Sequence, residues 1–198
     1  MATTTRATLP PTPGQTVGPF FHYGLPYAGD RDLVPAGSPG SILLHGYVYD
    51  GAGTPIPDAL VEIWQARPDG TIPQEPGSIR RDGWTFTGFG RASTGRDGRY
   101  TLSTLVPGPT EPGKAAFFAV SVFARGLLDR LFTRAYLPAE DQPAGALESD
   151  ALLNALATQR RNTLIASSDQ HGLRFDIRLQ GGDEGAETVF LTYPGRGD

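Results

Sequence analysis

Along Arg174-Phe175-Asp176-Ile177-Arg178-Leu179 charged and apolar residues alternate one by one, and this period of two recurs in short runs through the chain. Such alternation sends successive side chains to opposite faces of an extended strand, whereas an amphipathic helix needs a period near 3.6. Residues 42–49, 59–64, 90–94, 99–105, 117–123, 131–137, 174–179 and 187–193 all read as strands. Turn residues separate them. Asp50-Gly51-Ala52-Gly53 follows the first run, and Arg96-Asp97-Gly98 joins two others in what reads as a second hairpin.

The chain carries 26 Gly and 18 Pro among 198 residues, yet 38% of it is hydrophobic, a balance that suits many short strands rather than disorder. One helix interrupts the pattern. It runs from Ser149 or Asp150 as N-cap through Leu152, Leu153, Leu156 and Ala157 to Gln159, with Arg160 and Arg161 near the C-terminal end, where cations are favoured. Residues 67–84, with Pro68, Pro73 and Pro76, form a long loop. Residues 1–40 form an N-terminal arm whose aromatic island Phe20-Phe21-His22-Tyr23 packs on the body or on a partner, and residues 41–198 form a single β domain with its helix near 150–160.

Several function classes fall away. With 17 basic and 21 acidic residues spread along the chain, no cationic field attracts a phosphate backbone, so nucleic acid is not a partner. The absence of cysteine removes disulfides, thiolate metal sites and cysteine nucleophiles, and fits a cytoplasmic location. No segment approaches the ~20 apolar residues that span a bilayer, and residues 1–14 lack the pattern of a signal peptide.

Candidate chemistry is sparse. His22, His45 and His171 share no short spacing with one another or with a carboxylate, which points to surface or packing roles and leaves only a three-dimensional cluster as a route to a metal. No Gly-x-Ser-x-Gly elbow occurs, and Gly88-Phe89-Gly90 and Gly181-Gly182 read as turns. Arg134 stands out. In 131–137 alternation puts Leu131, Thr133, Ala135 and Leu137 on one face and Phe132, Arg134 and Tyr136 on the other. An arginine between two aromatics suits a carboxylate clamp, and equally suits an exposed strand residue stacked on its neighbours.

The text Gly46-Tyr47-Val48-Tyr49-Asp50-Gly51 through Val61-Glu62-Ile63-Trp64-Gln65-Ala66, then Asp97-Gly98-Arg99-Tyr100 and Val106-Pro107-Gly108-Pro109, resembles the intradiol ring-cleavage dioxygenases. Further matches lie at 12–20, 123–126, 133–134, 160–166, 174–181 and 187–190. They resemble the iron-free α subunit of a heteromeric member. The resemblance implies an all-β, prealbumin-like β-sandwich of the intradiol dioxygenase type.

Catalytic members of that family hold ferric iron with two Tyr and two His. Here the turn after Pro107-Gly108-Pro109 continues with Thr110, the His-x-His strand falls on Phe117 and Ala119, and no Tyr occurs between Trp64 and Tyr100. The resemblance therefore implies no metal ligand and no catalytic residue on this chain, with ferric iron held by a homologous β subunit in an (αβ)n assembly. It maps Thr16, Gly18, Pro19 and Arg134 to residues that approach the substrate, a small aromatic carboxylate cleaved with O2. Two other readings stand beside it: a prealbumin-like module that only binds or spaces, and a stand-alone enzyme with a metal or cofactor site not visible in the sequence.

Overall fold

The computed structural model describes residues 18, 20–75, 81–181 and 187–192. Their strands are β1 (Ser41–Tyr49), β2 (Leu60–Trp64), β3 (Phe89–Ser93), β4 (Arg99–Leu105), β5 (Phe117–Phe123), β6 (Leu131–Tyr136), β7 (Ser167–Asp169), β8 (Gly172–Arg174) and β9 (Ile177–Arg178). They build two sheets. One has the order β4-β1-β8-β7 with β9 also paired to β1, and the other the order β3-β2-β5-β6. Alternation puts Leu44, Val48, Tyr100 and Leu102 on the inner face of the first sheet and Val61, Ile63, Phe118, Val120 and Val122 on that of the second, where they join one core. Burying each large side chain of this kind is worth ~1.5–3 kcal/mol, so the period-two pattern in the sequence is the driving force of the sandwich.

The loop after β1 is set by its own first residue: the Asp50 carboxylate accepts hydrogen bonds from the Ala52 and Thr54 amides at 2.9 and 2.7 Å. The pairing after β3 departs from the sequence reading. β3 and β4 do not form a hairpin; β3 pairs with β2 and β4 pairs with β1, so the turn between them crosses from one sheet to the other. Thr94 accounts for the crossing. Its hydroxyl accepts from the Ala59 amide at 2.9 Å and donates to the Ile56 carbonyl at 2.8 Å, tying the end of β3 to the segment that leads into β2. A turn signal marks a reversal, but distant partners choose the sheet.

Three further expectations need correction. The run 174–179 is not one strand: β8 and β9 both lie parallel to β1 but are separated at Phe175-Asp176. There the Asp176 carboxylate accepts the Tyr47 amide at 3.0 Å and the Phe175 carbonyl accepts the Tyr100 hydroxyl at 2.5 Å. The expected helix is three short ones, α2 (Ala146–Ser149), α3 (Ala151–Asn154) and α4 (Thr158–Asn162), after an early α1 (Phe21–Gly24). Asp150 does cap α3, accepting the Leu153 amide at 3.0 Å, but the chain turns so that Leu147, Leu153 and Leu164 enter a second small core with Tyr136 and Val189. Residues 187–192 form no strand, and Tyr193 lies outside the described residues. Leu191 donates to the Phe132 carbonyl at 2.8 Å, so this segment still lies along β6.

Irregular chain covers the outer strands β3, β4 and β6. Asp30 accepts the Arg91 amide beside β3, Leu33 donates to Ser103 beside β4, and Tyr136 of β6 exchanges backbone bonds with Leu164 and Ala166. These contacts satisfy groups that would otherwise template aggregation. No helix among the described residues is long and apolar enough to cross a membrane.

At Gly46 the backbone of a neighbouring strand segment approaches closely. A Cβ there would lie 2.0 Å from the Phe175 carbonyl oxygen and 2.6 Å from its carbon, both backbone atoms. Gly46→Ala is therefore expected to lower stability by about 3 kcal/mol and Tm by roughly 6–12 °C, measured by thermal and urea unfolding; an unchanged Tm would show that β8 and β9 can retreat from β1 without cost.

Candidate functional site

The outward face of the β3-β2-β5-β6 sheet divides into rows set by strand register. Phe89, Trp64, Ala119 and Arg134 lie side by side in one row, and Arg91, Glu62, Ser121 and Phe132 in the next. The second row carries a buried ion pair. Arg91 grips Glu62 through Nε at 2.8 Å and Nη2 at 2.5 Å, and its Nη1 donates to the Leu25 carbonyl. Such a pair is costly to break, ~3–5 kcal/mol when one partner is removed, and here it fastens the incoming N-terminal segment over the sheet. Beyond it Phe21 stacks on Phe123 with ring centroids 6.0 Å apart. The first row stays open, and Trp64 is 50% exposed.

Arg134 lies at the β6 end of that open row. Its guanidinium carbon sits 4.2 Å from the centroid of the Phe117 ring, a half-buried cation over an aromatic face. Nη1 donates to the Tyr136 hydroxyl at 3.0 Å, and that hydroxyl lies 3.2 Å from Asp150 Oδ1. Burial pushes the Tyr136 phenol up to about 12, with Arg134 pulling the other way, so the hydroxyl keeps its proton at physiological pH. Nε and Nη2 of Arg134 make no hydrogen bond among the described residues. One edge of the fork is thus open to a bidentate acceptor such as a carboxylate. Alternation had placed Tyr136 on this face; Phe117 comes from the neighbouring strand and left no local signal. Phe132, also on this face, carries the guanidinium of Arg130 at 4.9 Å.

Beside Arg134 opens an apolar pocket of about 170 Å³, walled by Trp64, Ile72, Gly108, Ala115, Phe117 and Ala119, with Gln65 and Thr110 as its polar members. Thr110, Phe117 and Ala119 are the residues that stand where the family resemblance puts iron ligands. The fold brings all three into this pocket. Their donor chemistry does not fit ferric iron: a phenyl ring and a methyl offer no lone pair, and hard cations are held by carboxylate, phenolate or imidazole. Gln65 is committed elsewhere, donating to Ala66 and Leu105 carbonyls at 3.2 and 2.8 Å and accepting from Thr104 at 2.5 Å. That leaves the Thr110 hydroxyl.

The remaining candidates are scattered. Gly18 has positive φ, +74°, and a Cβ on it would meet nothing within 4 Å. Thr16 and Pro19 lie outside the described residues. His45 and His171, distant in sequence, do converge: their rings are 6.0 Å apart, and buried His45 bonds Asp169 at 3.1 Å. Among the described residues no group of three or more His, Cys, Asp or Glu is arranged to hold a metal. The purified chain incubated with ferric iron is therefore expected to elute iron-free from gel filtration and to show no visible phenolate-to-iron absorption; stoichiometric iron would overturn this reading of the pocket.

Comparison with known proteins gives the setting. Residues 17–181 match the family model described as Dioxygenase. The protocatechuate 3,4-dioxygenase alpha chain of Burkholderia cepacia is 39% identical over 201 residues, covering 93% of this chain and 98% of that one. The beta chain from the same organism is 29% identical over 160 residues, covering 72% of this chain and 65% of its own. Among solved structures, the dioxygenase domain of a dioxygenase and carbohydrate-binding fusion protein from Streptomyces sp. SirexAA-E superposes with a TM-score of 0.52 at 27% identity, covering 89% of this chain and 100% of that domain. A family match over most of the length, a relative aligned nearly end to end and a sandwich with the same architecture together establish that this chain belongs to the intradiol ring-cleaving dioxygenases, alongside their α chains.

Proposed function

We propose that this chain is the iron-free α subunit of a heteromeric protocatechuate 3,4-dioxygenase, completing the substrate pocket of a homologous β subunit that holds the ferric iron. The observation that carries the reading is the pocket at Thr110, Phe117 and Ala119. It gathers the three residues that, by the family resemblance, stand where iron ligands belong, and their side chains offer no ligand set for the metal. The similarity to both an α and a β chain supports assembly with a homologous partner, as (αβ)n.

In this reading the complex cleaves protocatechuate with O2 to 3-carboxy-cis,cis-muconate, and the partner's iron supplies the redox chemistry. The work of this chain is binding and orientation. Arg134 meets the ring carboxylate through the free edge of its guanidinium, fixing which carbons face the metal. By the family resemblance, Thr16, Gly18 and Pro19 are the further residues of this chain that approach the substrate. A plain catechol leaves the arginine without its anion, so the same contact sets specificity.

In the reconstituted αβ complex, Arg134→Ala is expected to raise KM for protocatechuate roughly tenfold or more, the size of a lost charge-assisted contact, with iron content unchanged. Steady-state kinetics and iron analysis check it, and wild-type kinetics in the variant would remove Arg134 from the site.

A further inference from the structure

We propose that Tyr136 and Asp150 are positioning residues for Arg134, holding its guanidinium in the orientation that receives the substrate carboxylate. The inference rests on the role given to Arg134 above. An arginine side chain has about 2 kcal/mol of rotamer entropy to lose, so a clamp that is already fixed binds better than one that must be ordered by its ligand. Arg134 is fixed at two points, by the Phe117 ring beneath it and by the Tyr136 hydroxyl at Nη1.

The direction of the hydrogen bonds is forced. A guanidinium can only donate, so the Tyr136 oxygen accepts from it. The single phenolic proton must then go elsewhere, and Asp150 Oδ1 stands 3.2 Å away. Asp150 in turn is fixed by the backbone, since the same oxygen caps α3 at the Leu153 amide. Leu153 and Tyr136 are both 0% exposed in the second core. The guanidinium is thus referenced through one phenol and one carboxylate to a rigid, packed element rather than to a loop.

The neutral phenol in the middle matters. Were Asp150 bonded directly to Arg134, its carboxylate would occupy the fork and compete with the anion of the substrate. Spaced by Tyr136, the acid orients the arginine while Nε and Nη2 make no hydrogen bond among the described residues. The arrangement is an oriented cation with one edge left open.

The test uses the αβ complex with Tyr136→Phe, which deletes the hydroxyl and keeps the ring, and Asp150→Asn, which keeps a good helix cap and removes the charge. KM and kcat are measured for protocatechuate, together with the inhibition constant of catechol, a ring without the carboxylate. Tyr136→Phe is expected to raise KM about three- to tenfold with a much smaller change in kcat and in catechol inhibition. Asp150→Asn is expected to move KM the same way by less. Adding Tyr136→Phe to Arg134→Ala is expected to cause little further change, because the two act on one contact. Equal weakening of protocatechuate and catechol, or an Arg134→Ala effect with no effect of either other variant, would overturn the positioning role while leaving the clamp. Wild-type behaviour of Arg134→Ala would instead overturn the reading of Arg134 on which it stands.

Discussion

The close approach of the Phe175 carbonyl to Gly46 governs the rest of the molecule. β1 is the strand on which the first sheet is assembled, with β4 antiparallel on one side and β8 and β9 parallel on the other. Where the parallel side breaks, the Phe175 carbonyl leans over Gly46 and takes the Tyr100 hydroxyl from the core side. Burial drives the Tyr100 phenol far above its ordinary value, so the donor stays protonated. One backbone carbonyl is thereby locked between a strand without a side chain and a buried phenol, and the register of the sheet follows.

The second sheet uses electrostatics where the first uses contact. Glu62 and Arg91 form a buried pair in the middle of an outward face, and the pair is tolerable because its hydrogen bonds are filled, in part by the Leu25 carbonyl of the arriving N-terminal segment. Among the described residues that segment covers one end of the face. The uncovered end holds Trp64, the apolar pocket and Arg134. Small and aromatic side chains fill the pocket, and Arg134 lies on the strand next to its Ala119.

Much of this was legible in the alternation of the sequence, for a definite reason. A strand with one buried face writes its burial into every second residue, so β1, β4, β5 and β6 could be found within a residue or so of their ends, and Arg134 could be assigned a face with Tyr136. What alternation does not carry is the choice of partner. β3 and β4 looked like a hairpin because the turn between them is a good turn, but Thr94 and the ladder with β1 separate them. The break at Phe175 depends on Tyr47 and Tyr100, which lie far away along the chain. The helix broke because Leu153 and Leu164 are claimed by a small core that no local pattern announces. At the site, Phe117 could be named as a replaced ligand but not as the platform under Arg134, and Asp150 could be named as a cap but not as part of a relay. Those roles arise where three separate segments meet.

The covering of the sheet edges has a bearing on how such a chain associates. Asp30, Leu33, Leu164 and Leu191 engage backbone groups along β3, β4 and β6, and the strand at the remaining end, β7, is only three residues long. Among the described residues little main chain is left to recruit another strand. Along these covered edges a neighbour meets side chains rather than free backbone groups. Covered edges of this kind leave association to surfaces that vary with sequence rather than to the strand ladder that every β-sheet offers.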